Sequence, residues 1–205
     1  MVGIRSLLAE AFGGPAEADL VDSLRADPAA WVGLSLVAVP PIVASGGVRV
    51  ASGAGEVPDP VVGYVLLSRV EVAASQVDRG VEIGVDIGVG RRTDALALAP
   101  LAVAASWRRR GLGEALVRQA LREAVARGER MVVVLGDPAY YSRFGFVAAG
   151  DLGIDGPYGD GPAMQALHLV PALDPSHDGD LGAMSWVTYS RSFEALGPGI
   201  RAEGP

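Results

Sequence analysis

The stretch VAASWRRRGLGEAL, residues 103 to 116, joins an apolar run to a helical pattern through three arginines and two glycines. The apolar run ALALAPLAVAAS, residues 95 to 106, predicts a buried strand that is interrupted at Pro100. From Gly111 onward apolar residues recur four apart, which predicts an amphipathic helix packed on a sheet and ended by Gly128. A glycine turn between a strand and a helix exposes unpaired backbone N–H groups, which bind anions. The junction therefore predicts a phosphate site, reinforced by the arginines.

Two common phosphate-binding loops do not match this turn. A dinucleotide-binding loop follows the pattern GxGxxG, but Leu116 stands where the third glycine would be. The loop of nucleotide triphosphatases ends in GK[ST], and this chain contains no lysine. The turn is therefore expected to bind a small anionic ligand of another kind.

Composition excludes several kinds of chemistry. The chain has no cysteine, so disulfides, thiolate metal sites and a cysteine nucleophile are excluded. Its two histidines, His168 and His177, are too few for a zinc site or a serine triad, and no metal is expected. The net charge of -7 argues against a nucleic-acid partner, because backbone phosphates require a broad basic face.

Length and hydropathy indicate one domain. A chain of 205 residues, half of them hydrophobic, predicts a single core over residues 1–195, with residues 196–205 as a flexible tail. No apolar stretch is long enough to cross a membrane, and the N-terminus MVGIRSLLAE lacks the pattern of a signal peptide. These features predict a cytoplasmic protein that does not contact membranes.

The rest of the chain predicts a mixture of helices and strands, and so the α+β or mixed α/β class. Two stretches, 40–60 and 73–94, have no clear period, and the first contains turn residues typical of a hairpin. Helices are predicted over residues 5–12 and 16–27, strands over 34–39, 61–72, 131–136, 163–170 and 184–190, a short strand in GFVAAG, and a short helix capped by Asp137.

Residues 95–146 resemble the GNAT superfamily of acetyl-CoA-dependent N-acetyltransferases. Three features occur in the family's order: the strand LAPLAV, the turn Arg108-x-x-Gly111-x-Gly113, and the ending Tyr141-x-x-x-Gly145-Phe146. The turn LGDPAYY is most similar to a bacterial branch of that superfamily. The resemblance implies a central, mostly antiparallel twisted sheet flanked by helices, with a parallel strand-helix-strand unit at the acetyl-CoA site. The family usually opens with a strand, for which MVGIR leaves little room.

The resemblance also implies the roles of individual residues. The loop amides would hold the pyrophosphate of coenzyme A, and the backbone of Leu101 and Val103 would bind the pantetheine arm. Tyr141 matches the family's acid, which gives a proton to the departing thiolate. The full set implied to bind the cosubstrate is Leu101, Ala102, Val103, Arg108, Arg109, Arg110, Gly111, Leu112, Gly113 and Glu114.

The expected reaction is direct attack by an amine on acetyl-CoA in a ternary complex. With no cysteine and no activated serine, no covalent acyl-enzyme is expected. The Leu101 N–H, freed by the interruption at Pro100, is the candidate to polarise the thioester carbonyl. Two alternatives remain, namely a non-catalytic acyl-CoA-binding or regulatory module and, more remotely, a nucleotide-binding oxidoreductase.

The sequence identifies neither the acceptor nor the general base. The acceptor is an amine of a small molecule or of a protein, and the chain is a monomer or a homodimer. The carboxylates of Glu71, Glu82, Asp86 and Asp94 are base candidates, although each is expected at the solvated surface. Trp31, Trp186, Phe144 and Phe146 are expected in the core, and Tyr140 is expected to pack or line the pocket.

Overall fold

A computed structural model describes residues 2–40, 49–52, 60–74, 92–158, 161–169 and 185–196. The helices are α1 (Val2–Phe12), α2 (Ala16–Ala26), α3 (Leu112–Ala126) and α4 (Pro138–Tyr141). The strands are β1 (Trp31–Val39), β2 (Arg49–Ser52), β3 (Gly63–Ala74), β4 (Arg92–Val103), β5 (Met131–Leu135), β6 (Val147–Ala148), β7 (Ile154–Asp155), β8 (Met164–His168) and β9 (Ser185–Thr188).

The nine described strands form one sheet in the order β2-β1-β3-β4-β5-β8-β6, with β9 beside β3 and β7 beside β9. Most neighbouring strands are antiparallel, whereas β4 with β5 and β7 with β9 are parallel. Because α3 connects β4 to the parallel strand β5, this segment is a strand-helix-strand unit. The predicted mixed fold, mostly antiparallel with one such unit, is confirmed.

Helices cover both faces of the sheet, and two apolar clusters lie between them and the strands. The first, which we call the α3 core, contains buried residues of α3 and one set of alternating strand residues. The second, the α1/α2 core, contains buried residues of α1 and α2 and the other set. Burying one aliphatic side chain of this kind contributes about 1.5–3 kcal/mol. The α3 core includes Leu34, Leu36, Val65, Leu67, Leu96, Leu98, Leu101, Val103, Leu112, Leu116, Val134, Tyr141 and Phe146.

Strand β4 contains one extra residue at Ala99–Pro100, where the peptide bond is cis. Leu98 lies opposite Leu67 and Leu101 lies opposite Val65, so three steps along β4 match two steps along β3. Because side chains alternate between the faces of a strand, this bulge returns Leu101 to the face of Leu98. The predicted interruption at Pro100 is therefore confirmed.

Most predicted helices and strands are present, with shifted ends. The first helix begins at Val2, and no strand precedes it in the described part of the chain. The predicted hairpin at 40–60 contributes β2, while 41–48 and 53–59 lie outside the described residues. Residues 75–91, most of the second irregular stretch, also lie outside them, as do residues 197–205 of the predicted tail. The short strand predicted in GFVAAG consists of two residues.

Candidate active site

A gap opens between β4 and β5. These strands pair in register only through Leu96 with Val132 and Ala97 with Val133. On its other edge β4 remains paired with β3 as far as Val103. The second half of β4, after Ala97, therefore has one edge in the sheet and one edge facing the gap.

The backbone groups of Leu101 and Val103 face this gap. The N–H of Ala104 donates to the carbonyl of Val62 at 2.9 Å. Val62 directly precedes β3, so the N–H of Ala104 points towards the β3 side of β4. Since the direction alternates along a strand, Ala102 is also directed to β3. Leu101 and Val103 are then directed away from β3, as the resemblance implies for partners of the pantetheine arm.

The arginine turn lies at the end of β4. The Nε of Arg108 donates to the carbonyl of Val103 at 3.1 Å, which ties the turn to the strand. The guanidinium of Arg110 lies 5.6 Å from the ring centroid of Trp107. Arg109 adopts a left-handed backbone with φ of 58°, uncommon for a residue other than glycine. All three arginines are exposed, so their charge is available to an anionic ligand.

The first three backbone amides of helix α3 have no acceptor within the helix. Gly111 precedes the helix with φ of 79°, and its carbonyl accepts the N–H of Ala115 at 2.9 Å. This is the first bond of the helix, so the amides of Leu112, Gly113 and Glu114 lie before any intrahelical acceptor. These donors and the positive end of the helix dipole face the turn.

Close packing fixes the start of α3 against the gap. Gly63 lies opposite Val103, and an added Cβ there would lie 2.9 Å from Leu116 Cδ1 and 3.3 Å from Leu112 Cδ2. A larger residue at position 63 would displace the side chains of Leu112 and Leu116, so glycine favours the close approach of α3 to β3. The free amides of α3 are thereby held at the same end of β4 as the gap.

The carboxylate of Glu114 is engaged elsewhere. It accepts the Nε of Arg118 at 2.9 Å, one turn along α3. The guanidinium of Arg118 lies 5.3 Å from the ring centroid of Phe144. In an anion site Glu114 therefore offers its backbone amide, and Arg118 neutralises its side chain.

Tyr141 stands on the α4 side of the gap. The side chain of Asp137 accepts the N–H of Ala139 at 2.9 Å, which confirms the predicted N-cap of α4. The carbonyl of Asp137 accepts the N–H of Tyr141 at 3.0 Å. Burial of the Tyr141 ring, which is 5% exposed, raises the pKa of its phenol well above the ordinary value. The hydroxyl is therefore protonated at neutral pH, as an acid must be.

Tyr140 packs beside Tyr141 but in a different environment. The two rings are 5.0 Å apart and nearly perpendicular. The guanidinium of Arg143 lies 4.8 Å from the Tyr140 ring centroid. Burial raises the pKa of Tyr140 to about 12, and among the described residues its hydroxyl has no hydrogen-bond partner. Packing, as expected for Tyr140, is confirmed.

The two base candidates in the described part of the chain, Glu71 and Asp94, do not lie at the gap. Glu71 and Asp94 face each other across β3 and β4, and Asp94 is exposed as expected. Leu101 is seven residues farther along β4, about 20 Å at the rise of a strand. Glu82 and Asp86 lie outside the described residues.

Three of the four expected core aromatics are packed inside the protein. Phe146 is buried, and Phe144 and Trp31 are half-buried against the two cores. The expectation for Trp186 is wrong, because its side chain is 43% exposed. Trp186 alternates with the buried Val187 on β9, which is covered on one face only, so Trp186 points to solvent.

Sequence reasoning missed two buried polar residues near the gap. Tyr64 is fully buried opposite Ala102, and burial raises its pKa to about 12. Gln165 is buried in β8 and donates to a backbone carbonyl. The available signal was a single polar side chain within an apolar strand, as in GYVLL and AMQAL.

In the described ranges, no three side chains of histidine, cysteine, aspartate or glutamate are grouped so that they could hold a metal ion. No helix in those ranges combines the length and apolarity needed to cross a membrane.

Comparison with known proteins agrees with this geometry. A family model of the acetyltransferase (GNAT) domain matches residues 61–148. The uncharacterised N-acetyltransferase YhbS of Escherichia coli K12 is 35% identical over 147 residues, which are 72% of this chain and 68% of YhbS.

Two solved structures share the fold over nearly the whole chain. The Escherichia coli GNAT family N-acetyltransferase YhbS in complex with CoA has a TM-score of 0.64 at 30% identity, covering 94% of this chain and 86% of that one. A GNAT family acetyltransferase from Brucella melitensis in complex with acetyl-CoA has a TM-score of 0.55 at 25% identity, covering 94% and 90%. The similarity to these relatives fits the junction at residues 103–116 and the gap beside β4. The chain belongs to the GNAT family of N-acetyltransferases.

Proposed function

We propose that this enzyme transfers the acetyl group of acetyl-CoA to an amine by direct attack in a ternary complex. The observation that carries the proposal is the gap beside β4, bordered by the backbone of Leu101 and Val103 and by the free amides of α3. The relatives from Escherichia coli and Brucella melitensis, which contain CoA and acetyl-CoA, support the choice of cosubstrate.

The residues present fit a phosphorylated thioester. Three exposed arginines and three helix amides offer charge and donors to a diphosphate. The edge of β4 offers the N–H and C=O groups of Leu101 and Val103 to the amide-containing arm. The Val103 carbonyl already accepts Arg108, but a carbonyl oxygen has a second lone pair for another donor.

When bound, acetyl-CoA supplies an activated acyl group and a thiol leaving group. The N–H of Leu101, directed into the gap, polarises the acyl carbonyl as negative charge develops on its oxygen. The Tyr141 phenol gives its proton to the sulfur as the C–S bond breaks. The acceptor, an ammonium at neutral pH, first gives one proton to solvent. Its neutral nitrogen then forms the new bond to the acyl carbon and loses a second proton, which returns through solvent to the phenolate. The proton count therefore closes without a covalent enzyme intermediate.

The protonated state of the Tyr141 phenol meets one requirement of this role. A thiol has an ordinary pKa of about 8.5 and a phenol of about 10, so the phenol holds its proton until the thiolate forms. Burial raises the Tyr141 pKa further, which keeps the phenol protonated across the neutral range and also makes it a weaker acid than a solvated phenol. Tyr140 shares the raised pKa, yet its hydroxyl is enclosed and has no hydrogen-bond partner within the described part of the chain.

The proposal is tested by measuring CoA release from acetyl-CoA with a panel of amines. The panel contains a polyamine, a lysine-containing peptide, an aminosugar and a free amino acid. The wild type is compared with Tyr141→Phe and with the matched variant Tyr140→Phe. Loss of the acid should lower kcat by about 10²–10⁴ in Tyr141→Phe, whereas Tyr140→Phe should retain turnover.

Two outcomes would contradict the proposal. Wild-type turnover in Tyr141→Phe would mean that another group protonates the sulfur. Tight binding of acetyl-CoA without release of CoA for any amine would favour the non-catalytic acyl-CoA-binding module instead.

A further inference from the structure

Gln165 is a buried amide in an otherwise apolar strand. It lies on β8 between Val134 of β5 and Ala148 of β6, and its side chain is 2% exposed. Its Nε2 donates to the carbonyl of Gly136 at 3.1 Å and makes a longer contact of 3.4 Å to the carbonyl of Ala163. An amide in such a place is retained only where its hydrogen bonds offset its desolvation.

Both backbone polar groups of Gly136 are held from the β8 side. The N–H of Gly136 donates to the carbonyl of Ala163 at 2.9 Å, and its C=O accepts the Gln165 amide. Gly136 follows Leu135, the last residue of β5, and its N–H makes one hydrogen bond beyond the end of the strand. Gln165 thus adds a side-chain hydrogen bond from β8 to the residue that follows β5.

The ring of Tyr141 rests on this glycine. A Cβ added at Gly136 would lie 2.3 Å from Tyr141 Cε2 and 2.8 Å from Cδ2, so the ring packs against the bare Cα. The next residue, Asp137, accepts the N–H of Tyr141. Two consecutive residues, Gly136 and Asp137, therefore fix the ring and the backbone of Tyr141.

We propose that Gln165 is a positioning residue for Tyr141. The inference rests on the proposed function, in which Tyr141 is the acid. The Gln165 amide fixes the Gly136 peptide, and Gly136 fixes the distance of the phenol from the gap. Without the amide, the Gly136 carbonyl loses its buried donor and the peptide shifts to find another. A displacement of about 1 Å at a reacting group costs about 100-fold in rate.

The test is a double-mutant cycle in kcat, with Gln165→Met in the wild-type and Tyr141→Phe backgrounds. Methionine keeps the length of glutamine and removes the donor. In the wild-type background kcat should fall by about 10- to 100-fold, with the KM for acetyl-CoA within about threefold. In the Tyr141→Phe background the same change should cost less than about threefold, because the group that Gln165 positions is already absent.

A matched control separates positioning from general loss of a buried polar group. Ser185 is a buried hydroxyl on β9, at the opposite end of β3 from the gap, and Ser185→Ala should leave kcat unchanged in both backgrounds. Equal losses for Gln165→Met in the two backgrounds would show a structural role and overturn the inference. An unchanged kcat in Gln165→Met, together with an impaired Tyr141→Phe, would also overturn the inference. Full turnover in Tyr141→Phe would instead overturn the proposed acid.

A second variant gives a readout that a structural role would not move. In Gln165→Glu the side chain donates to Gly136 only when its carboxyl is protonated. The kcat of this variant should therefore rise as pH falls through the carboxyl pKa, relative to wild type measured in parallel. A pH profile parallel to that of the wild type would contradict the inference. Where no amine is turned over, the slow hydrolysis of acetyl-CoA serves as the assay, since its thiolate also needs a proton.

Discussion

Replacing Gly136 by alanine should separate catalysis from cosubstrate binding. The new methyl group would lie 2.3 Å from Tyr141 Cε2, more than 1 Å short of ordinary contact, which begins near 3.4 Å. The Tyr141 ring is rigid and enclosed by Tyr140, Phe144 and Phe146, so it must move by about 1 Å. A displacement of this size at the acid predicts a loss of kcat of about 100-fold.

The assay compares turnover, affinity and stability of the same variant. Overpacking of this kind costs about 1–3 kcal/mol, which for a chain of this length lowers Tm by about 2–12 °C and leaves the protein folded at 25 °C. The affinity for CoA, measured by calorimetry, should stay within about threefold, because the free amides of α3 are not in contact with Gly136. The expected signature is therefore a large loss in kcat with little loss in binding.

Gly150→Ala is the matched control. A Cβ at Gly150 meets no atom within 4 Å, and its backbone φ is not in the left-handed region. This variant should keep the kcat of the wild type. If Gly136→Ala turns over as fast as Gly150→Ala while Tyr141→Phe is impaired, the position of the Tyr141 ring does not control the reaction, and the reasoning is refuted.

Three further predictions concern the anion site and pH. Gly111→Asp should abolish acetyl-CoA binding in calorimetry, because it places a carboxylate at the start of α3. The control Gly128→Asp, at an equally open position with φ of 77°, should keep the wild-type affinity. Equal affinities of the two variants would refute the phosphate site. Arg108→Ala should weaken binding by about tenfold and reduce its dependence on salt, whereas the exposed Arg122→Ala should change neither. Burial raises the pKa of Tyr189, so the folded phenol stays neutral where the unfolded one ionises. The stability that the neutral Tyr189 phenol contributes is present below about pH 10 and is lost as pH rises above it. Tyr189→Phe should therefore reduce the loss of stability that urea unfolding measures at about pH 11.

The sequence predicted the parts of the site that depend on local order. Strand, arginine turn and helix follow one another at 103–116, and the pattern of apolar residues was enough to place α3. The cap at Asp137 was also predicted, because an N-cap involves only residues two or three positions apart. These features depend on neighbouring residues, which a single sequence displays directly.

The sequence could not predict contacts between distant strands. The hydrogen bond from Gln165 to Gly136 joins residues 29 positions apart, and its only sign in the sequence is one amide in an apolar strand. The exposure of Trp186 was missed for a similar reason, since the pattern of β9 does not reveal which face of the strand is covered. In both cases the pairing of strands decides the outcome, and pairing is set by the whole sheet.

The bulge at Ala99–Pro100 links the core to the site. Before it, Leu96 and Leu98 point into the α3 core; after it, Leu101 and Val103 do so, although the parity of the positions has changed. Side-chain face and hydrogen-bonding edge alternate together along a strand. The extra residue that returns Leu101 and Val103 to the α3 core therefore also turns their N–H and C=O groups away from β3. In a regular strand Leu101 would donate to β3 and could not offer its N–H to a ligand. The single extra residue of the bulge thus provides both the packing of α3 on the sheet and an open backbone edge beside β5.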